Sequence, residues 1–119
     1  MKQRKILIVD DEPIARDNLA HIVAKDGYDA RIAEDGQQAI DILKKEEFDL
    51  VISDLIMPEM DGLALLKAVK RIRPDLHFIV LTAYGTIENA VKAMKQGAFT
   101  YVIKVSDPEE LIQEVRHVE

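Results

Sequence analysis

The sequence predicts an α/β protein: a doubly wound parallel sheet of five strands with helices on both faces. Two observations carry this. Short apolar runs alternate with longer amphipathic stretches along the whole chain, and the strongest runs are apolar without a break, as strands buried on both faces must be. Pro and Gly punctuate the joins, with Pro13 and Pro108 at helix starts and Gly27 and Gly97 at helix ends.

Each element can be placed in order. Ile6 to Val9 is the first strand. Pro13 suits a first helical position, and Ile14, Leu19, Ile22 and Val23 read as an inward face that lasts to about Asp26, where Gly27 ends the helix. Asp29 to Ala33 is a weaker strand, followed by a helix over 36–45 with Ala39, Ile40 and Leu43 inward. Leu50 to Ser53 is a strong strand, and its helix over 62–72 uses Leu63, Leu66 and Val69. Phe78 to Leu81 leads to a helix over 86–96 stopped by Gly97. Tyr101 to Ile103 is the last strand, and the closing helix starts at Pro108 with Asp107 as N-cap and Leu111, Ile112 and Val115 inward. No repeat or linker divides the chain, so 1–119 reads as a single domain.

Composition narrows the function. Aromatics are only 5% of the residues, so the core must be aliphatic. The net charge of −6 argues against direct nucleic-acid contact, which needs a basic face, and fits a metal or a basic protein partner. Cysteine is absent, which removes disulfides and thiolate chemistry. His21, His77 and His117 show no metal-ligand spacing. Neither a signal peptide nor a membrane span is visible, so a cytoplasmic location is expected.

In open α/β sheets ligands bind beyond the carboxyl ends of the strands, where strand order reverses. The first strand delivers Asp10 and Asp11 there, the third Asp54, the fourth Thr82 and Ala83, and the fifth Lys104. Asp10 and Asp11 ahead of Pro13 also suit a plain helix start, and Asp54 a plain strand end. Convergence favours chemistry. Three carboxylates brought together repel one another, and a hard cation such as Mg2+ relieves this. A lysine and a hydroxyl nearby suit phosphoryl transfer, with Asp54 as the nucleophile that forms an acyl phosphate. Phosphate-binding glycine loops of the nucleotide-binding kind are absent, as is any Ser/His/Asp or Cys/His arrangement.

Four segments together resemble the receiver domains of two-component response regulators: Ile6-Leu7-Ile8-Val9-Asp10-Asp11-Glu12; Asp54-Leu55-Ile56-Met57-Pro58 with Asp61-Gly62; Leu81-Thr82-Ala83; and Tyr101-Val102-Ile103-Lys104. The resemblance covers essentially the whole chain. It implies a flavodoxin-like fold with strand order 2-1-3-4-5 and five helices. It further implies that Asp54 accepts a phosphoryl group from a histidine kinase. Asp11, Asp54 and the backbone carbonyl of Ile56 would ligate Mg2+, with Asp10 acting through water. Thr82 and Lys104 would contact the phosphoryl oxygens, and Tyr101 would be the aromatic switch. The output would be read from the surface of the fourth helix, fifth strand and fifth helix, by homodimerisation or by an output domain. Thr82 to Thr86 and Ala93 to Ala98 are similar to receivers that control enhancer-binding transcription activators. The chain stops at the fifth helix, which implies a stand-alone or an excised receiver.

Two positions depart from the family pattern. Val105 follows Lys104 where the family usually has Pro, and Thr100 precedes Tyr101 where an acidic residue is common. A cis bond costs ~2.5–4 kcal/mol before Val against ~0.5–1 before Pro, so Lys104–Val105 is expected to be trans or strained, and Lys104 less firmly placed. Val105 leaves open a degenerate receiver that acts only as an interaction module. A Mg2+-dependent aspartyl phosphatase would need a second Asp two residues after Asp54, where Ile56 stands. No enzymatic turnover is therefore expected beyond self-phosphorylation and self-dephosphorylation. Ile56 and Tyr84 would crowd the path of attacking water and prolong the acyl phosphate.

Overall fold

A computed structural model shows strands and helices in strict alternation: β1 Lys5–Val9, α1 Pro13–Lys25, β2 Asp29–Ala33, α2 Gly36–Lys45, β3 Leu50–Asp54, α3 Gly62–Ile72, β4 His77–Thr82, α4 Ile87–Lys95, β5 Thr100–Ile103 and α5 Pro108–His117. The structure describes residues 4–55, 57, 60–82, 87–98, 100–103 and 108–117, with backbone alone at 82, 87, 100–103, 108–111 and 117. All strands pair in parallel, in the order β2-β1-β3-β4-β5. This is the expected doubly wound topology.

Alternation along the strands divides the core in two. Leu7, Val9, Val51, Phe78 and Val80 face α2, α3 and α4, meeting Ala39, Leu43, Leu65, Leu66, Val69 and Ala93. Ile6, Ile8, Leu50, Ile52, Ile79 and Leu81 face α1 and α5, meeting Leu19, Val23 and Val115. The central strands carry the unbroken apolar runs Ile6–Val9, Leu50–Ile52 and Phe78–Leu81 because both of their faces are covered.

The helix ends follow local chemistry. Gly27 and Gly97 adopt φ of +99° and +98°, the left-handed region that glycine enters without penalty. Each closes a paired C-terminal motif: Gly27 N–H donates to Ala24 C=O at 3.0 Å and Tyr28 N–H to Val23 C=O at 3.4 Å; Gly97 N–H donates to Met94 C=O at 3.1 Å and Ala98 N–H to Ala93 C=O at 3.0 Å. The residues that follow, Tyr28 and Ala98, are buried over the helix they end. At the other ends, Asp35 and Asp61 cap α2 and α3 by accepting from Gln38 N–H and Ala64 N–H, each at 2.8 Å.

One inward assignment is corrected. Ile14 is 72% exposed, and Arg16 is buried in its place. Five residues separate Ile14 from Leu19, which turns an α-helix by ~140° from the buried side, whereas Arg16 stands only ~60° away. On α3, Leu65 is fully buried and Leu63 only packs against the edge of the core. The Asp107 cap lies outside the described residues, as does the side chain of Leu111. Among the described residues no helix is long and apolar enough to cross a membrane.

Candidate functional site

β1 and β3 are neighbours at the centre of the sheet, and the chain leaves them in opposite directions, toward β2 and toward β4. Strand order therefore reverses between them, and a crevice opens at their carboxyl ends. Asp10 and Asp11 follow β1, and Asp54 is the last residue of β3. Their side chains offer carboxylate oxygens that all lie within 4.8 Å of one another. Among the described residues no other group of His, Cys, Asp or Glu gathers in this way.

The three differ in how they are held. Asp10 is only 2% exposed; its N–H donates to Ala33 C=O at 3.2 Å, and its Oδ1 accepts from Glu12 N–H at 3.0 Å. That bond folds the start of α1 back over Asp10. Asp11 is exposed, and Asp54 is half-buried. Asp54 is steadied through its backbone. The hydroxyl of fully buried Ser53 donates to Asp54 C=O at 2.9 Å, and Gly62 N–H donates to Leu55 C=O at 2.7 Å. A Cβ added to Gly62 would stand 2.8 Å from Leu55 Cα and would also meet the Asp54 backbone, so only glycine lets α3 approach so closely. Leu55 and Met57, at 4% and 6% exposure, root the following loop in the core.

These residues fit a hard divalent cation. The donors are all oxygen, and an ion bound at ~2.1 Å spans ~4.2 Å between opposite ligands, close to the observed spread. Thr82 ends β4, and Leu81 is paired with Asp54, so the Thr82 backbone reaches the same rim. On β5, Tyr101 pairs with Val80 of β4 and Ile103 with Thr82. Ile56, Ala83, Tyr84, Lys104 and Val105 lie outside the described residues. Gly62 is the residue whose role the sequence concealed. It stood visible as the glycine of Asp61-Gly62, but a helix start does not reveal what the helix must approach.

The fold and the acidic rim together define a class. The chain belongs to the response regulator receiver domain family, whose model matches residues 6–116. It is therefore a domain of phosphorylation-based signalling. Its relatives are specific proteins. It is 39% identical over 114 residues to the transcriptional regulatory protein GlrR of Escherichia coli K12, covering 96% of this chain and 26% of GlrR. It is 39% identical over 116 residues to sporulation initiation phosphotransferase F of Bacillus subtilis, covering 98% of this chain and 94% of that protein. The chain thus spans about a quarter of GlrR, at 26%, and nearly all of the Bacillus protein. Among solved structures, Vibrio cholerae CheY4 matches with a TM-score of 0.93 and 30% identity over 99% of this chain and 100% of that one. Response regulator TrrA of Thermotoga maritima, in complex with Mg(2+)-BeF, matches with a TM-score of 0.90 and 32% identity over 98% of this chain and 100% of that one.

Proposed function

We propose that the chain is a Mg2+-dependent phosphorylation switch with Asp54 as phosphoacceptor. The observation that carries this is the gathering of Asp10, Asp11 and Asp54 within 4.8 Å at the reversal of strand order. A carboxylate oxygen of Asp54 attacks the phosphorus of a kinase phosphohistidine. The new O–P bond forms as the N–P bond breaks, and the imidazole leaves. Asp11, Asp54 and the carbonyl of Ile56 would hold the cation, with Asp10 acting on it through water. When bound, Mg2+ supplies charge neutralisation at the transferred group. Lys104 and Thr82 would contact the phosphoryl oxygens. The TrrA complex with Mg(2+)-BeF supports this reading, because that relative shares the fold along its whole length.

Phosphorylation then biases pre-existing packings of the α4–β5–α5 surface. Reversing a 1:99 equilibrium takes ~5.5 kcal/mol. A charge-assisted hydrogen bond to Thr82 and a pair with Lys104, at roughly 1.5–3 kcal/mol each, are of that order. The chain acts in the cytoplasm, where a sensor histidine kinase supplies the phosphoryl group and a homodimer partner or an output domain reads the surface. GlrR, named as a transcriptional regulator, supports an output in transcription control.

The deciding experiment is incubation with Mg2+ and a small phosphodonor, followed by intact-mass measurement. One phosphoryl adduct that a chelator abolishes is the expected result. Donor turnover without an adduct would favour the phosphatase, and neither adduct nor turnover the interaction module.

Two variants probe the parts around Asp54. Ile56→Asn is expected to shorten the life of the acyl phosphate by admitting water; half-lives of seconds in both proteins would rule this out. Tyr101→Ala is expected to keep the adduct but to lose the phosphorylation-dependent change in partner binding. Unchanged partner binding would remove Tyr101 from the switch.

A further inference from the structure

α4 and α5 run back from the acidic rim, so their first turns lie near the site and their last turns at the far end of the sheet. At that far end each is held by a side chain from another element. The last turn of α4 closes on Gly97, and a Cβ placed there would come within 3.3 Å of Lys70 Cε. The Lys70 ammonium donates to Leu76 C=O at 2.7 Å, just before β4. One side chain of α3 is thus bonded just ahead of β4 while its methylenes lie alongside the glycine that ends α4. Desolvation pulls the Lys70 pKa below that of an ordinary lysine, with the attraction of Asp75 opposing it.

The last turn of α5 is held differently. Arg116 forks onto Asp26, the residue that ends α1, through Nη2–Oδ1 at 2.7 Å and Nε–Oδ2 at 3.3 Å. Val115 beside it is 2% exposed and packs with Ile6, Tyr28 and Leu50. An exposed ion pair alone contributes little, but two-pronged geometry beside the buried Val115 restricts orientation as well as position.

We infer that Lys70 and Arg116 are positioning residues that hinge α4 and α5 at their ends remote from Asp54, so that activation swings the site-proximal turns instead of shifting whole helices. The trigger rests on the phosphoacceptor reading; the hinges belong to the unmodified chain. Hydrogen exchange of the whole chain, with and without Mg2+ and beryllofluoride, tests both. In the native protein, amides of 87–90 and 108–111 are expected to respond to the probe, while those of 94–98 and 114–117 stay protected and unchanged. Lys70→Met is expected to speed exchange over 94–98 by roughly tenfold, and Arg116→Asp over 114–117, before any probe is added. Asp26→Arg combined with Arg116→Asp is expected to restore protection at α5. A uniform rise across all helices, or an equal probe response at both ends of α4, would overturn the hinge. A probe that changes nothing anywhere would instead count against the phosphoacceptor reading, while the unprobed variants still decide the hinge.

Discussion

Asp54→Asn is expected to abolish the phosphoryl adduct and, without divalent cation, to unfold at a higher temperature than the native protein. The first half follows from the chemistry: an amide oxygen forms no acyl phosphate under these conditions. The second follows from the cluster. Two carboxylates ~4 Å apart repel by about 1 kcal/mol under full water screening and about 4 kcal/mol near a protein surface. Asp54 faces Asp10 and Asp11 at such distances, with Asp10 buried and Asp11 exposed. Removing one charge while keeping shape should therefore add ~1 kcal/mol in cation-free buffer, a rise of a few degrees in Tm. Mg2+ should reverse the ranking. At ten times its Kd it adds ~1.4 kcal/mol to the native protein, and much less to a variant short of one ligand. Thermal melts of both proteins with Mg2+ and with chelator check this. A variant that is still labelled, or stabilised by Mg2+ as strongly as the native protein, would remove Asp54 from its assigned role.

Gly62→Ala is expected to be the most destabilising single-methyl change near the site. Its Cβ would meet backbone: Leu55 Cα at 2.8 Å and the carbonyl carbon of Asp54 at 3.1 Å. Backbone of a central strand cannot move aside without disturbing β3, so α3 must retreat and strain the Gly62–Leu55 hydrogen bond of 2.7 Å. Overpacking of this kind costs ~1–3 kcal/mol, and unyielding neighbours put this case at about 3. Alanine's better helix propensity recovers up to ~1 kcal/mol. Gly36→Ala is the control. There the added Cβ meets only the Met60 side chain: Sδ at 2.6 Å, which can turn away, and Cβ and Cγ at 3.1 Å, which need give by only a few tenths of an ångström. Its cost is expected to stay below ~1 kcal/mol. Chemical denaturation of both variants measures the contrast, and Gly62→Ala should also slow phosphorylation by displacing Asp54. Equal midpoints for the two variants would show that α3 is free to give way.

Much of this molecule is decided locally. The uninterrupted apolar runs of β1, β3 and β4, the Pro13 start and the Gly27 and Gly97 stops are properties of a few neighbouring residues. They were legible because period and turn chemistry need no long-range knowledge. The three carboxylates were legible too, since consecutive β–α units place every strand end on one rim. Legibility failed where a distant contact decides. The exposed Ile14 and buried Arg16 depend on which side of α1 meets the sheet, and apolarity alone did not say. The hinges at Lys70 and Arg116 join residues that composition leaves unrelated; Arg116 and Asp26 stand 90 positions apart.

The sequence by itself determined the order of elements, the doubly wound class and the acidic residues that reach the rim. Only the tertiary structure decided that Asp10, Asp11 and Asp54 approach within 4.8 Å, and that Gly62 must lack a side chain for Asp54 to stand where it does. The physical reason is range. Propensity and periodicity act over one or two turns of chain, whereas close approach is set by packing summed over elements far apart in sequence.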